Sequence, residues 1–279
     1  MDENIYKERC MITLSRIRMS SIKMIRAALV LAVVVSLPSA ALAARPLITD
    51  DAGTLGKGAF QVELGFEMSD HRTDDDGVVT KEDASSASAT LSYGILDNLD
   101  ILLGMPYEKM KIREDGNTIH NEDGIADMTL EAKWRFFEKG GFAMALKPGV
   151  SFPTGNHNKG FGTGRMTYGA LFIATQDIGP VSFHLNAGYK RNENSTDERK
   201  DIWGGDLAAV VTVAKPLKLV ANVGTKTNTD KTVATDPAFF LGGLMYSITD
   251  KIDLDLGYKR GLNKAEADNT YIGGLTIKF

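Results

Sequence analysis

The sequence predicts an all-β protein: a transmembrane antiparallel β-barrel of about twelve strands behind a cleaved N-terminal signal peptide. Three observations carry this. Near the end of the chain, Tyr271, Gly273, Leu275, Ile277 and Phe279 alternate with Ile272, Gly274, Thr276 and Lys278, the period of a strand with two different faces. Segments of about ten residues repeat that alternation through the chain, as barrel strands do in lipid. Between them, short and long connections follow one another in strict alternation.

The first element is a leader. Lys23 and Arg26 precede an uncharged apolar run from Ala27 to Leu37, followed by Pro38, Ser39 and Ala41-Leu42-Ala43. This is a basic region, a short apolar region and an A-x-A cleavage site. The run is shorter than the ~20 residues a membrane helix needs. The stretch Met1 to Ser20 is long for a basic region, and Met11, Met19 and Met24 are alternative translation starts. The expected organisation is therefore a signal peptide at 1–43, a periplasmic or plug-like segment at 44–58 and the barrel at 59–279. The only cysteine, Cys10, falls in the leader, so the mature part supports no disulfide, thiol nucleophile or thiolate metal site. Of 32 basic and 36 acidic residues, six basic and three acidic lie in 1–43, which leaves the mature part at a formal −7. That charge argues against nucleic acid as a partner.

The strands follow in order. Phe60, Val62, Leu64, Phe66 and Met68 alternate with Gln61, Glu63, Gly65 and Glu67. Ala87 to Ile95 and Leu99 to Tyr107 repeat the pattern. The clearest strand sets Met128, Leu130, Ala132, Trp134 and Phe136 against Asp127, Thr129, Glu131, Lys133 and Arg135. Further strands run through Phe142–Phe152, with Lys147 on the polar face, and Val181–Tyr189, with Ser182, His184 and Asn186. Trp203–Val213, Leu217–Val223 and Ile252–Tyr258 follow, the last with Asp253, Asp255 and Lys259 on its polar side. The stretches 166–176 and 238–248 are apolar without a clear phase. Aromatics such as Tyr93, Tyr107, Tyr189 and Tyr258 sit near strand ends, where interfacial girdles are built.

Closure follows from the main chain. Hydrocarbon offers no partner to a free N–H or C=O, so a sheet in lipid has to close on itself. Five short connections, near 97–98, 138–140, 177–179, 215–216 and 249–251, alternate with six long polar ones, near 69–84, 111–124, 153–165, 191–201, 226–236 and 260–268. Outer-membrane barrels have tight periplasmic turns and longer outer loops. A soluble periplasmic sandwich or lipocalin-like barrel would also alternate, with its apolar face as the core, but the charged faces at Glu63, Glu67, Glu131, Lys133 and Arg135 read as lumenal.

Two resemblances sharpen this. The final strand, ending on Phe279, resembles the C-terminal signal through which the barrel assembly machinery recognises outer-membrane barrels. Ala44-Arg45-Pro46-Leu47-Ile48-Thr49-Asp50-Asp51-Ala52-Gly53, leading to Phe60-Gln61-Val62-Glu63, resembles the opening of a family of outer-membrane proteins named for the meta-cleavage pathway of phenol degradation. Phe152-Pro153-Thr154-Gly155-Asn156 with Gly160 to Gly164 is a second echo. The resemblance implies a barrel in the bacterial outer membrane that transports small, hydrophobic or aromatic, solutes, without inheriting a particular substrate.

Residues 45–58 are too polar and Gly-rich for a membrane strand, so they hang in the periplasm or fold into the lumen. Arg45, Asp50 and Asp51 are the candidate plug residues; Asp50 and Asp51 either pair with Lys133 or Arg135, bind a cation, or cap a turn. The candidate lumen-lining set is Glu63, Glu67, Asp127, Glu131, Lys133, Arg135, Lys147, His184, Asp253, Asp255 and Lys259; such charges tune a pore or lock across it. Gly155 to Gly164 lacks the G-K-[ST] ending of a phosphate loop and reads as an outer loop. The acidic clusters at 74–76, 82–83, 114–115, 122–123 and 197–198 read as solvated loop charge, or as sites bridging lipopolysaccharide through divalent cations. No cofactor or metal is implied. A lipid-modifying enzyme would need a Ser–His pair, but Ser182 and His184 share a face ~7 Å apart, beyond direct bonding. The function expected is a channel for small solutes, monomeric and held by outer-membrane lipids and lipopolysaccharide; a structural or adhesive barrel acting through its loops is the alternative.

Overall fold

The structure is a computed structural model that describes residues 45–75 and 77–279; the expected leader at 1–43 lies outside the described residues. The strands are β1 (Phe60–Asp75), β2 (Val78–Leu96), β3 (Leu99–Glu114), β4 (Asn117–Ile125), β5 (Met128–Lys139), β6 (Phe142–Phe152), β7 (Thr167–Ile178), β8 (Val181–Arg191), β9 (Asp201–Ala214), β10 (Leu217–Lys226), β11 (Ala238–Thr249), β12 (Ile252–Gly261) and β13 (Asn269–Lys278). Each pairs antiparallel with its neighbours, and β1 closes on β13 from Gln61↔Lys278 to Asp70↔Asn269. The lower part of β3 pairs with β5 and its upper part with β4. β4 and β5 therefore share one place in a wall of twelve, broken at Ala126 and Asp127 opposite Pro106, which has no N–H to offer the ladder.

The wall is inside-out relative to a soluble protein. On β12, Leu256 is 61% exposed while its neighbour Asp255 is 4% exposed. Leu64, Phe66, Leu130, Trp134, Leu185 and Leu207 are exposed in the same way. Large apolar side chains ringing a closed sheet mark a lipid-facing surface, and a soluble barrel with an apolar core does not fit it. The two stretches without a clear phase become β7 and β11. Both are apolar on each face: Ile173, Phe239 and Leu241 are buried inward while Tyr168 and Phe240 face out.

The five short connections read from the sequence lie at one end, the periplasmic end of such a barrel, where β1 begins and β13 ends. The Phe279 N–H donates to the Phe60 carbonyl at 2.9 Å, and the two rings lie 5.7 Å apart. At the other end two expected loops are not loops. Residues 69–84 and 111–124 instead continue β1–β2 and β3–β4, and β1 runs five residues past its last pairing with β13, roughly 17 Å along the strand. The turns are tight because Gly77, Asp115 and Gly116 adopt positive φ, the Asp-Gly hairpin geometry. Outside the membrane, polar residues pair as readily as apolar ones, and Asp83 on β2 binds Arg113 on β3. The hairpins join through β2–β3 into a four-stranded blade.

Candidate functional site

Residues 45–59 form no helix or strand up to the start of β1, and they lie inside the barrel. A non-strand segment there must find partners for its main chain, and the wall supplies them as side chains. The Asn222 amide oxygen accepts from the N–H groups of Ile48 (2.9 Å) and Thr49 (3.2 Å), and its nitrogen donates to Thr49 Oγ1 (2.6 Å). Asn186 accepts from the Asp50 N–H (2.7 Å) and donates to the Asp50 carbonyl (2.8 Å), a side chain taking the part of a neighbouring strand. Thr175 Oγ1 accepts from the Ala52 N–H and bonds His184 Nδ1, each at 2.9 Å. Farther along, the Leu55 N–H donates to Asp100 and the Lys57 N–H to Asp97. The segment thus crosses from the β10 and β8 wall to the β3 wall before entering β1.

Charge fixes its middle. Asp50 Oδ1 lies 2.8 Å from Lys133 Nζ, and Oδ2 lies 2.9 Å from Lys147 Nζ. Lys147 also reaches Glu131 at 3.6 Å, and Lys133 reaches Asp51 at 4.0 Å. Burial alone would raise the Asp50 carboxyl; the Lys133 and Lys147 ammonium groups outweigh it and hold the carboxyl well below its ordinary range. Asp51 chiefly caps a local turn, accepting from the Gly53 N–H at 2.6 Å. Arg45 donates to Ser88 at 2.8 Å and lies 4.0 Å from Glu63.

Packing completes the fit. Leu47 rests on the inward apolar cluster of Val210, Val220, Phe239, Leu241, Met245 and Ile272. Ala52 packs fully buried against Ala145 and Ile173. Pro46 lies on Gly243 and Gly257, where an added Cβ would come within 2.9 Å of its ring; bare backbone is what lets the segment lie so close to the wall. Two lumenal cavities flank the segment, about 450 Å³ toward the outer loops and about 340 Å³ toward the short turns. Ile48, Glu131 and Lys147 line both and form the partition.

The remaining sequence-predicted residues are dispersed. Glu67 lines the periplasmic-side cavity and Lys259 the outer one, where it pairs with Glu266 at 2.9 Å over the Phe239 ring. Arg135 turns to Glu138 at 3.2 Å. Asp253 binds Lys278 at 2.7 Å and Ser247 at 2.5 Å, and Asp255 is buried opposite Gly274. Asp127 stands at the break in the wall and holds the 153–166 loop, accepting from the N–H groups of Gly155 (3.0 Å) and Thr163 (2.9 Å). That loop buries Phe161 against Gly124 and winds one 3-10 turn at His157–Lys159. Ser182 donates to Asp177, not to His184, so the two make no nucleophile–base pair. Tyr271, Gly273, Leu275, Ile277 and Phe279 share the outward face at the seam with β1. The candidate set omitted Asn222, Asn186, Thr175 and Asp100, although alternation already puts the two asparagines on polar strand faces. The two asparagines carried a signal: Asn is depleted in strands, and both interrupt strongly apolar ones.

A family model described as "Putative MetA-pathway of phenol degradation" matches residues 43–279. No curated protein matches the sequence. Among solved structures, the chain is similar to the COG4313 outer membrane channel from Pseudomonas putida F1, at 16% identity and a TM-score of 0.64 over 84% of this chain and 100% of that one. It is also similar to the KdgM porin, at 9% identity and a TM-score of 0.51 over 78% of this chain and 99% of that one. At these identities the likeness is one of fold.

Proposed function

Because the chain belongs to the family described as "Putative MetA-pathway of phenol degradation", we propose that it is an outer-membrane channel for small apolar or aromatic solutes, closed by its own N-terminal segment. The observation that carries this reading is the occupied lumen: residues 45–59 are bound through wall side chains, with a cavity on either side. A purely structural barrel needs no cavities, and a segment held by a few side-chain hydrogen bonds, each worth about 1 kcal/mol net, costs less to release than a strand paired along its length. The similar fold of a protein described as an outer membrane channel supports the reading. The lumenal charges then serve the plug, with Lys133 and Lys147 as its anchors and Arg45, Asp50 and Asp51 as its contacts. The outward face of β13 serves as the recognition face for barrel assembly, and the protein works as a monomer held by lipid and lipopolysaccharide.

The test is deletion of residues 45–57 followed by single-channel recording in planar bilayers. The deletion variant should conduct in long open events where the intact chain conducts rarely. Unchanged conductance would rule out the plug. The blade of β1 to β4 favours a second role, adhesion through its outer surface; trimming 71–82 and 110–122 should then abolish surface attachment without altering conductance.

A further inference from the structure

Resting on that channel reading, we infer that the outer cavity binds a small aromatic monoanion, its negative group held between Lys190 and Lys226. Four lysines line this cavity. Two are already neutralised: Lys147 by Asp50 at 2.9 Å and Lys259 by Glu266 at 2.9 Å. Lys190 and Lys226 make no ion pair or side-chain hydrogen bond among the described residues. They flank β9, where Lys190 pairs with Ile202 and Lys226 with Gly204, and Gly204 sets no side chain between them. Of the other carboxylates lining it among the described residues, Glu131 stands 3.6 Å from Lys147, within the ion-pair network around Asp50, and Asp206 lies on the same strand as Gly204. Lys190 and Lys226 against Asp206 leave a single positive charge, which one monoanion balances.

The rest of the cavity suits an apolar, flat body. Ile48, Leu171, Ile202 and Phe239 supply apolar contact. The wall beside them carries the glycine pairs Gly149↔Gly169 and Gly188↔Gly204, so bare main chain faces the lumen on four adjacent strands. At about 450 Å³ the space is large enough for a single-ring molecule with water. A neutral hydrocarbon would leave that one positive charge uncompensated in a partly desolvated site, whereas a carboxylate or phenolate supplies its partner. Ile48 links this site to the plug, because it belongs to that segment and lines the cavity as part of the partition.

The experiment is equilibrium dialysis of the full chain in detergent micelles at pH 7.5 against radiolabelled benzoate, benzyl alcohol and benzylammonium, with protein-free micelles as the blank. Benzoate should bind saturably and at least tenfold more tightly than benzyl alcohol. The Lys190→Gln/Lys226→Gln double variant should weaken benzoate at least tenfold and leave benzyl alcohol within twofold, and Asp206→Asn should tighten benzoate. Equal binding of benzoate and benzyl alcohol, a preference for benzylammonium, no binding of benzoate, or an unaltered double variant that retains its heat-modifiable band on gels would each overturn the inference. Planar-bilayer conductance of the same samples separates the two ideas: failed benzoate binding with a conducting 45–57 deletion removes this substrate class alone, and absent conductance removes the channel.

Discussion

Replacing Asp50 by Asn removes the charge on which the plug turns. The carboxylate accepts from two ammonium groups, at 2.8 and 2.9 Å, and both lysine side chains are largely buried. Hydrogen bonds to charged partners contribute about 1.5–3 kcal/mol each. In Asp50→Asn one lysine keeps a weaker acceptor in the amide oxygen, while the other faces an NH₂ group that cannot accept. Lys147 retains Glu131 at 3.6 Å and Lys133 retains Asp51 at 4.0 Å, so the loss stays short of the full cost of two orphaned buried charges. A net loss of about 3 kcal/mol follows, which shifts the ratio of undocked to docked plug by about a hundredfold. Single-channel recording at neutral pH reads this as open probability. Asp51→Asn is the internal control: its carboxylate is mainly a turn cap, and its loss should cost only about 1 kcal/mol. An Asp50→Asn open probability within threefold of the parent, with the folded barrel intact, would refute the reasoning.

Three further outcomes follow from the same geometry. The Asp50 carboxyl is depressed in the docked state, so its contribution is complete above the ordinary carboxylate range and is lost as pH falls; open probability should rise below about pH 4, and Asp50→Asn should flatten that rise in bilayer recordings. Asn222→Ala removes three bonds to Ile48 and Thr49, about 2–3 kcal/mol of docking; a trypsin site placed at residue 48 should become cleavable in the variant and stay protected in the parent. Leu256→Arg puts a charge in mid-strand on the lipid face, at about 2–4 kcal/mol in refolding titrations into vesicles, whereas Ser88→Arg on the lumenal face should not show that lipid-dependent loss.

How far the sequence foretold this depends on where each residue faces. Strands such as β5 and β12 separate a charged lumen face from an apolar lipid face, and alternation reads them directly. β7 and β11 pack apolar side chains on the plug from inside and on lipid from outside; Ile173, Leu241 and Phe239 erase the period because both surroundings are greasy. The long hairpins were hidden by composition, since residues 69–84 and 111–124 are polar enough to pass for loops, although the Asp-Gly dipeptides at 76–77 and 115–116 are hairpin signals in plain view. The pairing of Asp50 with Lys133 was among the readings open to the sequence because opposite charges invite it. Lys147 as second partner, and Asn222, Asn186 and Thr175 as tethers, depend on which strands the segment crosses, and that distance in space has no local trace. Asp127 shows the same limit: its alternation places it inward, but its work is to hold a loop over a break that only the pairing of Pro106 reveals.

The central claim is that residues 45–59 lie across the barrel lumen, and a cysteine cross-link measures this most directly. In a Cys10→Ser background the Pro46→Cys/Gly257→Cys pair sets two Cβ atoms near 2.9 Å, which a shift of under an ångström brings to disulfide spacing. Oxidation should give a quantitative, reductant-reversible bond whose closed form does not conduct. Free thiols that react with a membrane-impermeant maleimide from the periplasmic side and never cross-link would contradict it.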